Sequence, residues 1–126
     1  MDVGKGEHIL IVEDDFEISS IIKEVLSKFN YECEIASDGE IAFHIYETNK
    51  GKFDLVISDL GLPKISGVEL FEKFYRNNPN IKFIAMSGFG HKDVQDELHS
   101  KGVSAFLSKP FNLENLLKTI RTVLDR

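Results

Sequence analysis

The stretch FDLVISDLGLPKISG (53–67) sets an apolar run, FDLVIS, directly against an acid, Asp59, and then against a loop carrying Gly61 and Pro63. An apolar run this short, closed by turn residues, is the pattern of a strand buried on both faces. Four more such runs flank it: HILIV (8–12), YECEIA (31–36), IKFIAM (81–86) and VSAFLS (103–108). The stretches between them carry helical spacing instead. Ile18, Ile21, Ile22, Val25, Leu26 and Phe29 form one apolar stripe, and Leu113, Leu116, Leu117, Ile120, Val123 and Leu124 form another. Ile41, Ala42, Ile45 and Tyr46 mark a second helix, and Val68, Phe71, Phe74 and Tyr75 a third. The fourth, from about His91 to Lys101, offers only Val94 and Leu98 and is the least anchored. Five strand–helix units predict an α/β fold: a five-stranded parallel sheet, flavodoxin-like, in the order 2-1-3-4-5, with helices on both faces.

The chain of 126 residues is one domain in size, 42% hydrophobic and 29% charged, which excludes extended disorder. A net charge of −6 argues against nucleic-acid binding, because phosphate contacts need clustered lysine and arginine. No apolar run approaches the roughly 18 residues of a membrane span, and no signal-peptide core opens the chain. The single cysteine, Cys33, fits a half-buried strand position and a reducing, cytoplasmic compartment. Residues 1–7, MDVGKGE, read as a flexible segment or linker, with the domain proper at 8–126.

In open parallel sheets ligands bind beyond the carboxyl ends of the strands, at the switch point between strands 1 and 3. Strand 1 ends in Glu13, Asp14 and Asp15, strand 3 in Asp59, strand 4 in Ser87 and strand 5 in Lys109 followed by Pro110. Taken singly, each has an ordinary explanation: turn former, helix N-cap, solvated lysine, loop hydroxyl. Together they place Asp14, Asp15 and Asp59 at one point. Two carboxylates about 5 Å apart repel by about 3 kcal/mol at an effective dielectric constant of about 20. Such a cluster is neutralised by protonation, by a cation, or by both. All-oxygen ligands favour a hard divalent ion, Mg²⁺ first. Carboxylate nucleophile, Mg²⁺, ammonium and hydroxyl are the parts that accept a phosphoryl group. The chain has no GxxxxGK[ST] loop, and the GFG at 88–90 meets Asp93 where a dinucleotide fingerprint needs its third glycine. A haloacid-dehalogenase-type phosphatase would carry a second Asp two residues after the first, where Gly61 stands. With nothing to protonate a leaving group, a turnover enzyme is disfavoured.

From His8 to Arg126 the chain resembles the receiver domain of two-component response regulators, through ILIVEDD (9–15), ISDLGLP (57–63), MSG (86–88) and FLSKPF (106–111). The resemblance implies that Asp59 accepts phosphate from a histidine kinase or a histidine phosphotransfer domain. It implies that Asp15 and Asp59 ligate Mg²⁺ directly, with Asp14 acting through water and the Gly61 carbonyl completing the set. Ser87 and Lys109 would bind phosphoryl oxygens, and Phe106 would be the aromatic switch. A cis Lys109–Pro110 bond is a family feature. Gly61 and Phe89 stand where the family tunes phosphate lifetime. The implied role is a phosphoacceptor signalling domain whose output face is helix 4, strand 5 and helix 5. It is not an enzyme in the turnover sense. The alternative is a pseudo-receiver acting as a phosphorylation-independent interaction module. GKGEHILIVEDD (4–15) and SGFG (87–90) resemble the junction of hybrid histidine kinases, a context to set beside a free-standing regulator.

Overall fold

The computed structural model describes residues 2–88 and 92–126, with the side chain of Lys92 left aside. The elements run β1 (His8–Val12), α1 (Phe16–Lys28), β2 (Glu32–Ala36), α2 (Gly39–Thr48) and β3 (Leu55–Asp59). They continue with α3 (Gly67–Asn77), β4 (Phe83–Ser87), α4 (Lys92–Lys101), β5 (Ala105–Ser108) and α5 (Leu113–Leu124). All five strands are parallel, in the order β2-β1-β3-β4-β5, as the alternation of periods predicts. Phe89, one of the two residues expected to tune phosphate lifetime, and His91, the expected start of helix 4, lie outside the described residues.

Side-chain alternation along the strands divides the core in two. Leu10, Val12, Val56, Phe83 and Ala85 face one way, meeting Ala42 and Tyr46 of α2, Leu70, Phe71 and Phe74 of α3, and Leu98 of α4. Ile9, Ile11, Leu55, Ile57, Ile84 and Met86 face the other way, meeting Ile22 and Leu26 of α1 and Leu116, Leu117, Ile120 and Val123 of α5. Both faces of β1, β3 and β4 are therefore dry, which is why their sequences read as continuous apolar runs. Four residues depart from their helical stripes: Ile21, spaced like a core residue, is 62% exposed, and Ile41, Tyr75 and Leu113 are exposed as well. Cys33 is half-buried on β2, and burial pushes its thiol up to about 12, which leaves it unreactive.

The leading segment, expected to be loose, is held in this structure. Gly4 N–H donates to the Phe29 carbonyl (2.7 Å) and Gly6 N–H to that of Asn30 (2.9 Å). Arg121 on α5 pairs with Glu7 at 2.8 Å. Gly4 lies so close to the Tyr31 ring that a Cβ would come within 2.6 Å of it.

A second closely packed glycine sits at the end of β3. A Cβ on Gly67, the first residue of α3, would lie 2.7 Å from the Leu60 Cα and 3.1 Å from the Asp59 carbonyl oxygen. Backbone, unlike a side-chain end, has nowhere to swing. Gly67→Ala gains helix propensity of up to about 1 kcal/mol, but it must push α3 off the end of β3, at about 1–3 kcal/mol. Denaturant unfolding should show a net loss, with the Asp59 and Leu60 amide resonances displaced. An unchanged midpoint would contradict this packing.

Candidate functional site

The carboxyl ends of β1, β3, β4 and β5 meet at one end of the sheet. Register does the positioning: Asp59 sits opposite Met86 on β4. Leu60 N–H continues the ladder to the Met86 carbonyl at 3.0 Å, and Lys109 N–H takes the Ser87 carbonyl at 2.7 Å. Asp59 and Glu13 are 8% and 2% exposed, so the site is built on buried acids.

The acids that converge are not quite those expected. Carboxylate oxygens of Glu13, Asp14 and Asp59 lie within 4.8 Å of one another. Asp15 is not among them; its Oδ1 caps α1, accepting from Glu17 N–H at 3.0 Å and Ile18 N–H at 3.2 Å. Where Asp14, Asp15 and Asp59 are expected to converge, the structure brings together Glu13, Asp14 and Asp59. Three consecutive acids cannot all face one point from a chain leaving a strand and entering a helix. The third is consumed by the helix start. A signal for this was present: the apolar stripe beginning at Ile18 requires a cap two or three residues earlier, and Asp15 stands there.

Lys109 bridges two of the acids. Its Nζ lies 2.8 Å from Glu13 Oε1 and 3.2 Å from Asp59 Oδ1. Burial pulls against the lysine's charge, but the hydrogen bond to Glu13 and the charge of Asp59 outweigh it and hold its pKa above the usual lysine range. Glu13 shifts upward too: desolvation dominates, Asp59 adds repulsion, and Lys109 offsets only part. The Lys109–Pro110 peptide is cis, as the resemblance implies.

Ser87 is wholly buried at the end of β4. Its Oγ accepts a hydrogen bond from Gln95 Nε2 of α4, a partner that the strand-end reading did not anticipate. Phe106 is half-buried and packs, like Val94, against the α2–α3–α4 side of the core. Gly61 is exposed, and a Cβ there would stand 3.8 Å from Asp59 Oδ2 in ordinary contact. Glycine is therefore not forced at 61; it leaves the space over Oδ2 open. With Oδ1 held by Lys109, the free face of Asp59 is Oδ2. Three carboxylates in a hard, all-oxygen set suit a small divalent cation.

Comparison with known proteins identifies the family. Residues 9–121 match the response regulator receiver domain family. Sporulation initiation phosphotransferase F of Bacillus subtilis is 30% identical over 119 residues, 94% of each chain. Sensor kinase CckA of Brucella abortus is 30% identical over 99% of this chain, which spans only 13% of that kinase. A crystal structure of a response regulator receiver domain protein from Clostridium thermocellum superimposes with a TM-score of 0.92 at 27% identity, covering 95% of both chains. Among the described residues no helix is long and apolar enough to cross a membrane.

Proposed function

Because this chain belongs to the response regulator receiver domain family, we propose that Asp59 accepts a phosphoryl group from a phosphohistidine and that the bond it forms switches the α4–β5–α5 face. The observation that carries this reading is the Lys109 ammonium held between Glu13 and Asp59 beside the Glu13–Asp14–Asp59 oxygens. Asp59 Oδ2 attacks phosphorus as the P–N bond of the donor histidine breaks, and the imidazole leaves. Glu13, Asp14, Asp59 and the Gly61 carbonyl would hold Mg²⁺, whose charge offsets that of the incoming phosphoryl oxygens. Lys109 turns from Oδ1 to a phosphoryl oxygen, and the Ser87 hydroxyl donates to another. Phe106, half-buried at rest, turns inward into the room that the hydroxyl vacates.

The donor is a histidine kinase or histidine phosphotransfer domain, and the setting is cytoplasmic. The exposed Phe16 and Ile21, in the first two turns of α1 just after Asp14, are the apolar surface a helical donor would cover. No enzymatic turnover on an external substrate is assigned. Beryllofluoride with Mg²⁺ should displace the backbone amides of Ser87, Phe106 and the first turns of α4. A flat response there would refute the switch. A phosphorylation-independent interaction module would give no labelling by acetyl phosphate at all.

A further inference from the structure

Helix α4 touches the site through one polar side chain. Gln95, the fourth residue of α4, donates from Nε2 to Ser87 Oγ at the end of β4. Ser87 is 0% exposed, and no buried side-chain polar atom among the described residues lacks a partner. A buried hydroxyl stripped of its hydrogen bond loses free energy, so this pairing defines where Oγ rests. The helix has little else to hold it. Leu98 is the one fully buried side chain among those described on α4, with Val94 partly covered.

We propose that Gln95 is a positioning residue: it latches Ser87 Oγ to the α4 side of the site and thereby opposes phosphorylation. This rests on the reading that Asp59 takes the phosphoryl group and that Ser87 is its hydroxyl partner. Gln95 donates to Oγ whereas a phosphoryl oxygen accepts from its O–H, so the two compete for the position of the hydroxyl, and the charged acceptor holds it more strongly than the neutral amide. To reach it, Ser87 must turn out of the grip of Gln95. The same rotation cuts one of the few ties of α4 to the sheet. A single bond thus couples the occupancy of Asp59 to the docking of α4, because each state satisfies Ser87 through a different partner. Resting protein held by the latch binds a phosphoryl mimic more weakly, by the factor by which the latch disfavours the active arrangement.

Gln95→Met keeps length and helix propensity and removes the donor. With Mg²⁺ present, it should bind beryllofluoride about three- to tenfold tighter than wild type, the worth of one hydrogen bond. Amides of α4 should exchange faster in the unliganded variant, and Gln95→Ala should behave in the same way. Loss of ordinary packing would weaken binding instead, so the sign separates the two causes. In a Ser87→Ala background the Gln95 change should have no effect on affinity, because its partner is gone. A folded Gln95→Met with unchanged or weaker affinity overturns the latch. So does equal tightening in the Ser87→Ala background. Wild-type protein that binds no beryllofluoride overturns the phosphoacceptor reading and the latch with it, whereas wild-type binding with an unmoved Gln95→Met overturns the latch alone.

Discussion

Asp59→Asn should take up no label from acetyl phosphate in the presence of Mg²⁺, a fall of at least about a hundredfold to the limit of detection. The amide keeps the volume of the carboxylate but is not a nucleophile. Neighbouring acids do not substitute for it. Asp15 has its Oδ1 committed to the N–H groups of Glu17 and Ile18. Glu13 is held on Lys109 by Oε1, and its Oε2 faces the Asp15 N–H at 3.4 Å. Asp14 is exposed and lies outside the β3 register that fixes Asp59 opposite Met86. The loss cannot be blamed on unfolding, because the substitution removes one of three mutually repelling carboxylates and leaves Lys109 paired with Glu13. The denaturation midpoint should hold or rise slightly. Persistent labelling of the folded variant would sink the assignment of Asp59.

The sheet and its order were legible because they rest on periodicity, which each segment carries within itself. FDLVISD announces a strand dry on both faces, and Asp59 indeed closes β3 as its last, buried residue. The convergence of strand ends followed from topology alone. What was not legible depends on side-chain direction and on distant partners. The run Glu13-Asp14-Asp15 looks uniform, yet one carboxylate turns to Lys109, one joins the cluster in the open, and one caps α1. Ile21 shares the spacing of the α1 core but falls on the edge of the stripe and stays exposed. Residues 2–7 looked loose because their two glycines suggest freedom. In the structure Gly4 serves close approach to Tyr31, and Gly6 adopts a φ of 86° that other residues avoid. Gln95 had no signature at all, since a glutamine on a polar helix face reads as solvated until its partner is in view.

Lys109→Met should destabilise the metal-free protein by about 2–3 kcal/mol near neutral pH, below the usual cost of breaking a buried pair because the lysine is partly exposed. The variant leaves Glu13 and Asp59, both buried, facing each other and Asp14 without a cation. Chelator-treated protein should show this deficit in urea, and saturating Mg²⁺ should recover most of it, since an ion that binds only the folded state stabilises it by RT ln(1 + [Mg²⁺]/Kd). The recovery should exceed the shift that Mg²⁺ gives wild type, because the vacated position no longer repels the ion. Acid should act in the same direction. Glu13 already sits above the usual carboxylate range, through burial first and Asp59 second, and Lys109 is what restrains it. Without the lysine that shift grows. A folded-state pKa above the unfolded value adds stability that is fully present below the unfolded pKa and lost as pH rises through the folded one. The deficit of Lys109→Met should therefore narrow as pH falls from neutrality through the raised pKa of Glu13 toward the ordinary carboxylate range. Wild type should change less over that window. Parallel stability curves for the two proteins across that range, in chelator, would mean that Lys109 is not what neutralises these acids. The same substitution should also leave beryllofluoride unable to move Ser87 and Phe106 even where it still binds, because Lys109 would no longer bridge the phosphoryl group to β5.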